Sequence, residues 1–118
     1  MSGKPPIICG DGLQTRDYTY VTDIADSAIN VYNNFEKTNG NVINIASGSE
    51  TSILKLIQTI SKIMGYTGKI KYKKERPGDV KKHIADISIA KKTIGYNPKV
   101  GMEEGLQKTI RWYENHGK

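Results

Sequence analysis

The sequence predicts a mixed α/β domain in which a few short strands pair beside amphipathic helices. Three observations predict it. The length, 118 residues, leaves room for one domain. Short β-branched runs alternate with stretches whose apolar residues recur at helical spacing. The balance of 36% hydrophobic and 25% charged residues is that of a globular chain.

Taken in order, residues 1–5 are polar and proline-ended and read as an entry segment. Pro5-Pro6 followed by Ile7-Ile8-Cys9 predicts a strand, closed by the tight-turn signal Gly10-Asp11-Gly12. Tyr18-Thr19-Tyr20-Val21 is aromatic and β-branched and predicts a second short strand. Thr22 or Asp23 is then expected to cap a helix, since a short oxygen-bearing side chain satisfies the free N–H groups of a first turn. Ile24, Ala25, Ala28, Ile29, Val31, Tyr32 and Phe35 give that helix one apolar stripe. Val42-Ile43-Asn44-Ile45-Ala46 reads as a buried strand, followed by a polar loop over 47–50.

The second helix starts near Thr51 or Ser52, with a stripe from Ile53 to Met64 and Gly65 as its C-terminal cap. Residues 69–74 alternate as an exposed strand, and Glu75-Arg76-Pro77-Gly78-Asp79 forms a bent, charged loop. Asp86 is placed to cap a short helix ending at Gly95, and 102–114 predicts a last helix with Leu106, Ile110 and Trp112-Tyr113 on or beside its apolar side. Both long stripes are broad enough to need partners, more than so small a sheet can offer.

With 18 Lys+Arg against 12 Asp+Glu the formal charge is +6, which favours an anionic partner. Lys69, Lys71, Lys73 and Lys74 also fit a solvated strand edge, where lysine blocks unwanted pairing. Few aromatics interleave these lysines, so no nucleic-acid partner is expected. No apolar run approaches a membrane span, and MSGKPPIICG lacks a signal-peptide stretch. The one cysteine, Cys9, cannot form an internal disulfide and reads as buried filler. A cytoplasmic domain with no membrane partner is the expectation.

Several chemistries have no residues here. No Gly-x-Gly-x-x-Gly and no phosphate-binding Gly-x-x-x-x-Gly-Lys-Ser/Thr loop is present. His83, His116 and Cys9 are too dispersed for a metal site. Asp11, Asp17, Asp23, Asp79 and Asp86 all fall at turns or helix starts, where carboxylates cap. Two polar constellations remain. Gly10-Asp11-Gly12-Leu13-Gln14-Thr15-Arg16-Asp17-Tyr18 delivers an arginine from a glycine-rich loop, and Arg76-Pro77-Gly78-Asp79-Val80 delivers another from a fixed bend. Arginine grips phosphate oxygens with a planar fork, so two converging loop arginines suit a diphosphate; either is also at home as a surface residue.

The stretches GDGLQTRDYTYVTDIADSAI, NVINIASGSETSILKLI and ERPGDVKKHIADISIAKKTIGYNPKVGMEEGLQKTIRWY resemble, in order and spacing, the C-terminal part of NAD-dependent nucleotide-sugar epimerases. These belong to the extended short-chain dehydrogenase/reductase superfamily, and the nearest look is to UDP-glucose 4-epimerase-like members. The resemblance implies the substrate-binding, C-terminal portion of that fold across residues 1–118. It places the NAD-holding Rossmann half, with its catalytic Tyr-x-x-x-Lys, outside this chain. No tyrosine here has a lysine four positions on. The chain alone is therefore expected neither to bind NAD nor to catalyse. In a complete enzyme a tyrosine phenolate would take the 4-hydroxyl proton while NAD takes the C4 hydride, and the keto sugar would turn over before hydride returns.

By the same resemblance, Arg16 and Arg76 contact the substrate diphosphate, Tyr18 lines the pocket and Ile53 packs near the uracil. Asp79 lies near the ribose, and His83 falls where some members place another pocket residue. Tyr18 and Ile53 are equally suited to core positions. The implied partners are a UDP-sugar, the Rossmann part and, in the full enzyme, a second copy in a homodimer. The forms Arg76-Pro77-Gly78-Asp79-Val80 and Arg16-Asp17-Tyr18 favour epimerases over sugar-nucleotide 4,6-dehydratases; a stand-alone nucleotide-binding module is a further alternative.

Overall fold

Among the described residues two short β-ladders carry the polar loops, beside five helices. The computed structural model describes residues 4–117. Strand β1 (Ile7–Cys9) pairs in parallel with β4 (Lys71–Lys73), matching Ile8 to Tyr72. The ladder runs on at both ends, with Lys71 N–H donating to the Pro6 carbonyl and Gly10 N–H to that of Lys73, each at 2.9 Å. Ile8 is wholly buried beneath it, whereas β4 is exposed along its length, as its lysines require. Cys9 is only half-buried, less enclosed than a core filler would be.

Strand β2 (Thr15–Arg16) pairs antiparallel with β3 (Thr51–Ser52), Arg16 facing Thr51. That ladder passes directly into helix α3 (Ile53–Ile63), because Ile53 and Leu54 N–H donate to the Gln14 and Gly12 carbonyls. Gly12 has φ +78°, and a Cβ there would press on Ile8 and Leu54 at 3.2 Å, so the turn demands glycine. The Ser52 side chain caps α3 by accepting from Lys55 N–H at 3.1 Å, and Gly65 ends it in the left-handed region, both as expected.

The second strand thus falls at 15–16 rather than 18–21. Residues 18–20 form no strand; Tyr20 is extended, at φ −76° and ψ 145°, and leads into α1 (Val21–Asn33). Strand-forming composition there did not bring a pairing partner. Nor does Thr22 or Asp23 cap α1; the N-cap is Tyr20, with no side-chain cap bond. Asp23 lies inside the first turn, 3% exposed, and accepts instead from the N–H groups of Lys99 and Val100 at 3.1 Å each.

A short α2 (Phe35–Thr38) follows. Residues 42–46 are not in a ladder: among the described residues their backbone N–H groups find no backbone acceptor, and Val42 is exposed. Ile43 and Ile45 lean on the core formed by Ala46, Ile87, Ala90, Ile94 and Tyr96, together with Val31 and Ala85. Helix α4 (Ser88–Ile94) supplies Ala90 and Ile94 to that core; Asp86 accepts from Ser88 N–H and Gly95 stops the helix at φ +64°. Helix α5 (Met102–His116) buries Gly105 and Ile110 and leaves Trp112 and Tyr113 half out.

The stripe foreseen on α1 is present but turned outward. Within the helix only Asp23 and Ser27 are buried, while Val21, Ile24, Ile29 and Tyr32 are exposed.

Candidate functional site

The two arginine-bearing loops meet. Thr15 N–H donates to the Lys81 carbonyl at 2.9 Å, which lays the 76–82 loop along the free edge of β2. Gly78, at φ +76°, makes the bend, and Asp79 N–H closes it on the Arg76 carbonyl. Arg16 then reaches across. Its Nη2 donates to Asp79 Oδ1 at 2.7 Å, and Nη1 donates to the carbonyls of Thr15 at 2.7 Å and Val80 at 2.6 Å. Both ionic side chains are about a quarter exposed, 28% for Arg16 and 23% for Asp79. Three of the five guanidinium donors are therefore used inside the chain, and two remain for a ligand.

Asp17 holds this corner in place. Its carboxylate accepts from the N–H groups of Ser47 at 2.8 Å, Gly48 at 3.0 Å and Ala85 at 3.4 Å, and from the Ser47 hydroxyl. One side chain thus ties three separate segments together beside Arg16. On the other flank Thr15 Oγ1 and Lys82 Nζ both reach Glu50, at 3.0 and 3.1 Å. Those two bonds, Lys82 first, hold the Glu50 carboxyl below its ordinary value. Of the turn carboxylates expected to cap, Asp11 accepts locally from Leu13 N–H and Asp86 from Ser88 N–H just ahead of Ile87, the N-cap of α4, whereas Asp17 bonds only to distant segments. The linking of distant loops by Asp17, Thr15, Glu50 and Lys82 had no local sequence signal, since each partner lies 30 or more positions away.

Of the residues named from sequence, Arg16 and Asp79 are joined directly. Arg76 is exposed on the same loop and forms no ion pair among the described residues. Tyr18 is half-buried two positions from Arg16; burial pushes its phenol above the ordinary value, against the opposing pull of the Arg16 charge. Ile53 is half-buried at the head of α3, its N–H bonded to the strand that carries Arg16. His83 is exposed and makes no side-chain hydrogen bond among the described residues. An open, apolar recess of about 180 Å³ lies beside Tyr18, walled by Tyr20, Leu56, Met102 and Leu106; neither arginine lines it.

A family model described as GDP-mannose 4,6 dehydratase matches residues 1–109. The chain belongs to that family. Among its relatives is the UDP-glucuronate 4-epimerase of Thermodesulfobacterium geofontis, 37% identical over 110 residues, which are 92% of this chain and 33% of that protein. The Thermotoga maritima UDP-glucose 4-epimerase, solved with UDP-glucose, superposes with a TM-score of 0.90 at 36% identity, covering 98% of this chain and 37% of that one. The Bacillus cereus UDP-glucuronic acid 4-epimerase, solved with UDP-glucuronic acid and NAD, gives 0.88 at 34% identity, covering 96% and 36%. The epimerase/dehydratase membership and the extended short-chain dehydrogenase/reductase fold expected from the sequence are thereby borne out. The chain spans about a third of the length of the curated relatives it matches.

A dinucleotide does not fit the described residues. Its pyrophosphate needs a glycine-rich turn opening a helix free of negative charge. Helix α1 opens on Tyr20 with Asp23 in its first turn, and α5 carries Glu103 and Glu104 in its own. Helix α3 lacks acids there but opens on Thr51-Ser52, locked in the β2 ladder. Among the described residues no cluster of three potential metal ligands exists, and no helix is long and apolar enough to cross a membrane.

Proposed function

We propose that this chain is the substrate-binding portion of a nucleotide-sugar 4-epimerase and holds the nucleoside diphosphate of a UDP-sugar. The observation that carries the reading is the meeting of the two arginine loops, with two Arg16 donors unspent and Arg76 on the same loop as its partners Asp79 and Val80. Arg16 is held on three sides by Asp79, Val80 and Thr15, so its fork is oriented before any ligand arrives. Preorganisation of that kind lets binding energy from the unreactive diphosphate position the sugar without gripping it. Chemistry at the sugar, and NAD, belong to a Rossmann part that this chain does not supply. A 4,6-dehydratase portion is the second reading, because the matching family model bears that description.

Titration of UDP and GDP into the chain separates these readings: the epimerase reading expects UDP to be preferred. A charge-assisted hydrogen bond contributes about 1.5–3 kcal/mol, so Arg16→Ala or Arg76→Ala should weaken UDP binding roughly 10- to 100-fold. Lysine at either position should restore only part, keeping charge but losing the fork. Lys73→Ala, on the solvated β4 face, should change little. An equal loss from Lys73→Ala would mean that diffuse positive charge holds the ligand and the arginine assignment is wrong. NAD titrated to millimolar concentration should give no isotherm; micromolar binding would overturn the division of labour.

A further inference from the structure

We infer that Asn39-Gly40 is a site of spontaneous deamidation, and that the isoaspartyl link formed there loosens the core on which Ile43 and Ile45 lean.

The sequence supplies the chemistry. Of the chain's asparagines only Asn39 is followed by glycine. A backbone nitrogen attacks the side-chain carbonyl carbon of the residue before it by closing a five-membered ring, and Gly40 has no Cβ to obstruct that approach. A bond forms between Gly40 N and Asn39 Cγ. The bond from Cγ to the side-chain nitrogen breaks, and that nitrogen leaves as ammonia, taking the proton from Gly40. Water then opens the ring. Attack on the main-chain carbonyl leaves the chain running through the side chain, an isoaspartyl link; attack on Cγ leaves an ordinary aspartyl residue. Net, asparagine and water give the acid and ammonia, so water is the whole of what the reaction consumes.

The fold leaves the ring closure open. Asn39 sits at φ −55° and ψ 129° and Gly40 at φ +75°, the angles of a type II turn, which Asn41 N–H closes on the Thr38 carbonyl at 3.0 Å. Both residues are exposed, and a Cβ on Gly40 would meet nothing within 4 Å. To close the ring, Asn39 must rotate about its Cα–C bond, which gives up that turn bond. Among the described residues Gly40 N–H has no backbone acceptor and the Asn39 side chain makes no hydrogen bond, so neither reacting group is tied. Openings that break so little belong to the low end of local stability. By contrast Asn34, Asn41 and Asn44 each donate a side-chain amide to a backbone carbonyl. Asp11-Gly12 could close the same ring with loss of water, but it is fastened. Asp11 accepts from Leu13 N–H at 2.8 Å, the Gly12 carbonyl accepts from Leu54 N–H at 2.9 Å, and Gly12 is buried.

The turn joins two anchored points. Thr38 is 6% exposed, with its hydroxyl set among the carbonyls of Val31, Asn34 and Phe35. Ile43 and Ile45, just beyond the turn, pack on Ala46, Ile87, Ala90, Ile94 and Tyr96. An isoaspartyl link adds one methylene to the main chain between these anchors. The bond from Asn41 to Thr38 then loses its turn geometry, and one anchor must shift to absorb the extra length.

The experiment reads chemistry and stability on the full chain. It is incubated warm at neutral pH for weeks, beside a sample held unfolded in guanidinium. Every asparagine and Asp11 is followed by peptide mass mapping, with fragmentation that tells isoaspartate from aspartate. In the folded sample Asn39 should convert at least tenfold faster than any other asparagine, with isoaspartate in excess. Asp11 should isomerise at least tenfold more slowly folded than unfolded. Asn39→Gln, which can close only a six-membered ring, should abolish conversion at that position, and Gly40→Ala should slow it at least tenfold. The isoaspartyl form should unfold at a lower urea midpoint than the unaltered chain. Asn39→Asp, which adds the same charge without the methylene, should keep the original midpoint. The inference is overturned if Asn39 stays intact in the folded sample, if another asparagine keeps pace with it, if Asp11 isomerises equally in both samples, or if the isoaspartyl form unfolds at the unaltered midpoint.

Discussion

Tyr96 is almost wholly enclosed at 4% exposure, and its hydroxyl donates to the Ala46 carbonyl at 2.9 Å. Burial, reinforced by the charges of Asp23 and Asp17, pushes its phenol above the ordinary tyrosine value. The folded state therefore keeps this proton after an unfolded chain has lost it. Its contribution is whole below about pH 10 and disappears as pH rises beyond that. The melting temperature should fall above pH 10, and Tyr96→Phe should flatten that fall while costing about 1 kcal/mol at neutral pH. An unchanged alkaline slope in the variant would assign the effect elsewhere. Tyr96 was not singled out in the sequence because it follows Gly95 and precedes Asn97-Pro98, a turn setting, and its acceptor lies 50 positions earlier. Arg16 and Asp79 were both visible, each in its own loop, but their joining was not, since only the folded chain brings them within 2.7 Å.

At the level of elements, Asp23 is what fastens α1 to the approach of α5. Its carboxylate serves the N–H groups of Lys99 and Val100 just before α5 begins, while Asp26 one turn later pairs with the Lys99 ammonium at 3.0 Å. Asp23→Ala strands two amide donors and should cost about 2–3 kcal/mol, read as a shift of the urea midpoint. Asp23→Asn keeps an oxygen acceptor and should recover part of it. A midpoint unmoved by Asp23→Ala would show that the 99–100 turn holds without α1. Helix positions and their stops at Gly65 and Gly95 were legible because periodicity and left-handed caps are local signals. The facing of α1 was not, because an amphipathic stripe states that a face is to be covered but not by what. Residues 42–46 misled for the same reason: their alternation is a strand's, and the ladder it calls for is not among the described residues.

For the whole molecule, the small core sets the expectation. Among the described residues seven apolar ones, from Ile8 to Ile110, are buried, while fifteen large apolar side chains are exposed. So large an apolar surface drives association or loosens packing. The isolated chain should either melt broadly at modest temperature or sediment as a concentration-dependent oligomer. A strict monomer with a sharp, high transition would show that the core is sufficient by itself. Sequence length and stripe breadth had already pointed to missing partners, since a chain this short cannot cover two broad helix faces with such short strands.

The parallel pairing of β1 with β4 also fixes an order of events at the ribosome. Ile7, Ile8 and Cys9 emerge first, yet their partners at Lys71, Tyr72 and Lys73 are made much later. At roughly 5–20 residues per second the intervening stretch takes about 3–12 s to synthesise. For that interval the strand holding Ile8, the most enclosed large side chain among the described residues, lacks the β4 partner it has in the finished fold, and an apolar segment left waiting in that way is exposed to misassociation.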